Sequence, residues 1–197
     1  IWDGLPQRMA FYRSGWDVLL SSPQEGPWVT VFDFNPTINS DLDAPLGRRA
    51  VNLDGNISTF YRMSYQTTLV FGVQYWDRVD KIIVPNAGAI FTPDERLEVR
   101  LMYPKSRISY GLGEILGSTH WLYATGEYHV ESYQLNAQGV SNQEQIQMSD
   151  WRFAVGVQSD HYTYDKYIEI GYVIDRHVKF ADSIPDFVIG NGVMFRG

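Results

Sequence analysis

The sequence predicts an all-β protein, an antiparallel up-and-down transmembrane β-barrel of about 10–12 strands. Three observations carry that expectation. Period-two alternation of apolar and polar residues recurs along the whole chain, while helical periodicity is nearly absent. Several alternating segments run past ten residues, longer than the ~5–6 typical of globular sheets and long enough for the ~9–11 residues of a tilted membrane crossing. The composition is aromatic-rich, with 13 Tyr and 6 Trp, and includes 17 Gly and no Cys. At 197 residues the chain fits one domain, 1–197, with enough length to bury its own core.

The predicted strands, in order, cover roughly 8–20, 27–35, 49–64, 67–79, 82–91, 96–103, 106–113, 118–134, 147–159, 166–178 and 186–196. Tight connections fall at "PDER" (93–96), "YPKS" (103–106) and "LGST" (116–119), and "SDHYTYDKY" (159–167) reads as a hairpin turn. Long polar connections fall at "NPTINSDLDAPLG" (35–47) and "NAQGVSNQEQIQ" (136–147). In an antiparallel barrel the short turns gather at one end and the long loops at the other. Eleven segments break the even parity of bacterial single-chain barrels. That parity implies one segment too many or too few in this reading, or strands lying upstream, and the opening "IWDGLP", with no initiator Met, implies a leader already removed or a fragment of a longer protein.

The central question is which face is inside. In "DKYIEIGYVIDR" (165–176), Ile168, Ile170, Tyr172 and Ile174 share one face, opposed by Tyr167, Glu169, Gly171, Val173 and Asp175. In "WRFAVGVQ" (151–158), Trp151, Phe153, Val155 and Val157 oppose Arg152, Ala154, Gly156 and Gln158. In "RLEVRLMY" (96–103), Leu97, Val99, Leu101 and Tyr103 oppose Glu98, Arg100 and Met102. In "HWLYATGEYHVES" (120–132), Leu122, Ala124, Gly126, Tyr128 and Val130 oppose Trp121, Tyr123, Thr125, Glu127, His129 and Glu131.

Each apolar face must leave water, at about 25 cal/mol per Å² buried, either inward into a dry core or outward into lipid. Three features favour lipid. The apolar faces end in aromatics (Tyr75, Tyr103, Tyr128, Trp151, Tyr172), as interfacial girdles do. The polar faces mix both charge signs with glycine and aromatics, and the only lysines, 81, 105, 166 and 179, lie near strand ends. The chain also finishes in a strand, "DFVIGNGVMFRG", with a late aromatic, Phe195; Asn191 interrupts its apolar face and leaves its orientation open. On this reading Leu97, Val99, Leu101, Phe153, Val155, Ile168, Ile170 and Ile174 face lipid. Glu98, Arg100, Glu127, His129, Glu131, Arg152, Glu169 and Asp175 line a polar lumen.

Residues 85–110, "PNAGAIFTPDERLEVRLMYPKSRISY", resemble a bacterial domain family of unknown function with outer-membrane-barrel character. The resemblance rests on Pro85, Ala87 and Gly88, the Thr92–Pro93 turn, and Tyr103, Pro104, Arg107 and Tyr110 of the hairpin. It covers the first two-thirds of the chain. It implies a barrel in a Gram-negative-type outer membrane, with the lipid bilayer, and further envelope proteins, as partners. It carries no catalytic motif.

Candidate chemistry is sparse. Glu127, His129 and Glu131 form an i, i+2, i+4 trio suited to a metal or to acid–base work, but a lumen network explains it without either. Asp41 and Asp43 echo a calcium loop without its glycine or distal Glu. Asp160, His161 and Asp165 gather near a turn. Ser118 with His120 is the nearest hydrolytic pair, without a G-x-S-x-G elbow, and "GLGEILG" (111–117) lacks the helix of a phosphate loop. No enzyme, cofactor or metal is expected. The net charge of −7 and the absence of a basic run exclude a nucleic-acid partner from expectation. The expected function is a structural or assembly subunit, or a narrow pore with a charged lumen. The alternative is a soluble secreted β-sandwich or lipocalin-like barrel binding a sugar or apolar ligand.

Overall fold

A computed structural model describes residues 10–43, 45–115, 117–136, 144–182 and 185–197. The described chain is all-β. Its strands are β1 (Tyr12–Gly15), β2 (Val18–Ser21), β3 (Trp28–Ser40), β4 (Val51–Arg62), β5 (Thr67–Asp77), β6 (Lys81–Phe91), β7 (Leu97–Tyr103), β8 (Lys105–Ile115), β9 (Ser118–Leu135), β10 (Glu144–His161), β11 (Tyr164–Phe180), β12 (Phe187–Ile189) and β13 (Gly192–Arg196). A single 3₁₀ turn, Arg48–Ala50, precedes β4.

Successive strands from β3 to β11 pair antiparallel in one meander. Seven of them, β3 to β9, close into a barrel through a parallel bridge at Ser40↔Gln134, beside which Asp41 N donates to Gln134 O at 3.1 Å. The remaining strands extend outward from that ring: β1 and β2 on the edge of β3, and β10, β11, β12 and β13 beyond β9. The expected single ring of 10–12 strands is therefore corrected to a smaller closed ring with outer strands.

The eleven predicted segments correspond to eleven ribbons, two of them broken, into β1/β2 and β12/β13. The first break has a local cause. Gly15 pairs with Thr37 and Val18 with Phe34, so Trp16 and Asp17 lie opposite Asn35 and Pro36. Proline has no N–H to give the ladder. The Pro36 carbonyl still accepts from Trp16 N at 3.1 Å, and Asn35 Nδ2 bonds Asp17. The two outermost ribbons, β1/β2 and β12/β13, run in the same direction, each antiparallel to an odd-numbered neighbour, so they do not form an antiparallel pair with each other.

Strand directions define two ends. At the lower end the connections are 22–27, 63–66, 92–96, 116–117 and 162–163. The strand ends that flank both long connections lie at the upper end, together with the short connections at 78–80 and 104; residues 44 and 137–143 of the long connections lie outside the described residues. Strand β3 continues through "NPTINS" to Ser40, and β10 begins at Glu144, so the long connections are shorter than the sequence suggested.

The apolar rows face outward. Ile168 and Ile83 are each 72% exposed, and Phe71, Val73, Leu101, Ile108, Leu122, Phe153, Val155 and Ile170 are exposed beside them. An apolar cluster of buried residues sits at the upper end, where Tyr133, Leu135, Ile146, Val178 and Phe180 pack with Phe11, Met148 and Ile189.

Candidate functional site: the polar interior

The inner faces of the strands carry the buried polar groups. Glu169 is 5% exposed and Glu127 6%, against 48% for Ile170. Alternation produces this directly, because Glu169 and Ile170 are consecutive residues on opposite faces of β11.

A network ties four strands through the interior. Glu169 on β11 accepts from Tyr123 Oη on β9 at 2.7 Å and from Arg196 Nε on β13 at 2.7 Å. Arg196 also lies 3.6 Å from Glu127 on β9, and Glu127 pairs with Lys105 on β8 at 2.8 Å. Gly156 makes room for the Tyr123 ring: a Cβ there would lie 2.7 Å from Tyr123 Cζ. Charged partners in a low-dielectric interior are stable only when paired and hydrogen-bonded, and each carboxylate here is.

The upper end is sealed by a second network. Arg78, in the β5–β6 turn, donates from Nη1 and Nη2 to Asp54 on β4 at 2.6 and 2.8 Å, and from Nε to Val130 O on β9 at 3.0 Å. Asn39 and Asn52 both donate to Ser132 O, at 2.9 and 3.1 Å. The Gln134 side chain accepts from Gly47 N and donates to Pro45 O, each at 2.9 Å. Lys179 reaches Asp80 at 2.6 Å, and Arg49 reaches Asp182 at 2.6 Å. Thr37 Oγ1, Asn39 Oδ1 and Glu144 Oε2 are buried here without a protein partner.

Below that seal, β5 to β9 border a half-open cavity of about 440 Å³ lined by Gln74, Trp76, Asn86, Lys105 and His129 among others. A second, of about 260 Å³, lies toward the lower end and is lined by Glu98, Trp121, Gln158 and Asp160 among others. Arg100 and Arg107 border both.

Of the lumen set, Glu127 and Glu169 meet through Arg196, Glu98 pairs with Arg100 at 2.7 Å, and Glu131 lies 3.0 Å from His129 Nε2. Arg152 pairs with Asp150 at 2.7 Å. Asp175 departs from expectation: it is exposed, with φ +54°, and pairs with His177 at 2.9 Å. The cause is a bulge. The β10–β11 register slips between Ser149↔His177 and Trp151↔Ile174, and one extra residue inverts the alternation above it. Ile174, at the same slip, is half-buried, while Val178 and Phe180 turn inward. Of the remaining apolar set, Leu101, Phe153, Val155, Ile168 and Ile170 are exposed, and Leu97 and Val99 are half-buried.

The Glu127, His129 and Glu131 trio does not converge, and among the described residues no group of three His, Asp or Glu side chains is placed to hold a metal. Asp41 instead pins two loops, accepting from Asp43 N at 3.1 Å and Asn136 N at 2.8 Å. His120 Nε2 contacts Ile115 O at 3.4 Å rather than Ser118. The residues sequence reasoning missed are Arg196, Lys105, Tyr123 and the Arg78–Asp54 pair. Tyr123 shares its row with Glu127, and Arg196 alternates with Phe195, so period two held a signal for both.

Comparison with protein-family models, with curated proteins and with solved structures finds no match to this chain.

Proposed function

We propose that this chain is a non-enzymatic outer-membrane β-barrel that crosses the bilayer with its strands and acts as a structural or assembly subunit or a narrow pore with a charged lumen. The observation that carries the reading is the inverted distribution of side chains. More than a dozen large apolar residues are exposed around the strands while carboxylates, guanidinium groups and amides are buried within. Exposed apolar residues on a soluble monomer are normally scattered or confined to one limited patch, whereas here they line successive strands. A hydrocarbon solvent removes the cost, because it accepts the apolar rows and leaves the paired charges enclosed.

Aromatic placement supports the same reading. Tyr103, Trp151 and Tyr128 form a chain of ring contacts at 6.3 and 5.3 Å toward the upper end. Trp28 and Tyr61 make a tilted ring contact at 4.2 Å toward the lower end, where Tyr65 and Tyr162 are fully exposed. Between them the outward row Trp151–Val157 spans roughly 20 Å of strand at about 3.4 Å per residue. With the upper end sealed, a wide porin is disfavoured within the proposal.

Fractionation tests the reading. The protein is expected in the membrane fraction, to need detergent for solubility, and to migrate differently on a gel when boiled and unboiled. A detergent-free, monodisperse protein with unchanged migration would replace it with the soluble-barrel alternative.

A further inference from the structure

Like charges face each other twice, once midway along the sheet and once beside the lower turn at 162–163. Arg100 and Arg107 are direct cross-strand partners between β7 and β8, and Asp160 and Asp165 are direct partners between β10 and β11. Directly opposed side chains have Cβ atoms about 4.5–5.5 Å apart, a distance at which like charges destabilise a sheet. Arg100 is compensated by Glu98, through contacts of 2.7 and 3.2 Å. Among the described residues Arg107 is held by neutral groups: Nε donates to Ser109 Oγ at 2.8 Å, Nη2 donates to Gln158 Oε1 at 2.7 Å, and the guanidinium lies 4.1 Å from the Tyr123 ring centroid. Among the described residues Asp160 has no cation within ion-pair distance, and it accepts from Gln158 Nε2 at 2.6 Å.

Gln158 therefore bridges a guanidinium and a carboxylate that each lack an ionic partner. Its amide oxygen points to the cation and its amide nitrogen to the anion. That is the arrangement of a zwitterion with an amide's partial charges in place of full ones. Both charges border the cavity of about 260 Å³, beside Trp121, in space adequate for a few heavy atoms.

We propose that this cavity binds a small zwitterionic solute of the amino-acid class, with its carboxylate on Arg107 and its ammonium on Asp160. Full charges at both ends make ion pairs where each Gln158 bond is charged on the protein side only, and they relieve both like-charge pairs at once. A solute with one charge relieves only one. The site lies inside the sheet and does not depend on what surrounds the barrel, so it stands or falls separately from membrane insertion.

The test is calorimetric titration of the detergent-purified full chain at low ionic strength with glycine and β-alanine, using acetate and methylammonium as single-charge controls. Saturable binding of a zwitterion is expected, with the controls about tenfold weaker or worse, the factor one charge-assisted hydrogen bond supplies. Arg107→Gln and Asp160→Asn each weaken binding by a similar factor, while Lys166→Gln, at an exposed position, leaves it unchanged. Without solute, Arg107→Gln keeps or raises the thermal midpoint, because it removes one of two opposed cations. If one variant fails to fold, the other decides. No saturable binding by the unmodified chain, acetate binding as well as glycine, or full binding by a folded variant would each overturn the proposal.

Discussion

At the scale of single residues, the account rests on neighbours with opposite surroundings. Ile170 and Glu169 are adjacent in sequence, yet one is exposed on the outer surface and the other accepts two hydrogen bonds inside. On the proposed reading, Ile170→Arg places a cation in lipid at a cost of about 2–4 kcal/mol near the midplane. Folding into lipid vesicles is expected to fail or slow for Ile170→Arg and to proceed for Ile170→Val; equal yields would count against a lipid-facing Ile170. Gly156 offers a second test. A side chain there meets the Ile168 carbonyl oxygen at 2.6 Å as well as the Tyr123 ring at 2.7 Å, so a valine is an overpacking expected to cost about 1–3 kcal/mol. A lowered unfolding midpoint for Gly156→Val checks it, and an unchanged midpoint contradicts the close approach of β10 and β11. These faces were legible because period two is a strict geometric rule along an unbroken strand. Asp175 was not legible, because a bulge inverts the rule and leaves no mark in the spacing of apolar residues.

At the scale of elements, the strands were readable and their interruptions were not. Each predicted segment corresponds to a ribbon, since turn residues such as Pro93, Pro104 and Gly117 punctuate long alternating runs. The polar stretch from Asn35 to Ser40 reads as a loop, yet it is strand, because its inward groups find partners such as Ser132 in the interior. Sequence supplies no such partner until the fold closes. The last ribbon shows the same limit. Gly190 and Asn191 lie in a break between β12 and β13, which removes the amide from the apolar row and leaves Val193 and Phe195 outward. Arg196 then points inward and holds β13 to β11 and β9 through Glu169 and Glu127. Arg196→Ala is expected to lower stability by about 2 kcal/mol, less than the ~3–5 of a fully buried pair because a third of the side chain is open to solvent. Faster proteolysis within 185–197, with the rest of the chain protected, identifies the released element; uniform destabilisation without such cleavage contradicts the anchoring role.

At the scale of the whole molecule, a ring of seven strands is closed by one parallel bridge and by side chains that cross the interior at its upper end. The closure was not visible in sequence, since the residues that make it lie far apart in the chain, Asn39 and Ser132 by 93 positions. Arg78 is the centre of that seal, joining β4 to β9. Its loss leaves Asp54 buried without its cation, so Arg78→Ala is expected to cost about 3–5 kcal/mol, while a shape-conserving Arg78→Met with Asp54→Leu recovers much of it. Melting of the two variants beside the parent checks this, and a double variant no more stable than the single one contradicts it.

The most direct measurement of the central claim uses the absence of cysteine in the chain. Single cysteines at Ile168, Ile170 and Val155, and at Thr125 on the inner face, carry an environment-sensitive fluorophore in lipid vesicles. The account predicts blue-shifted emission quenched by brominated acyl chains at the three outer positions, and no such quenching at Thr125. Outer positions that emit as in water, and respond to aqueous quenchers but not to brominated lipid, would contradict it.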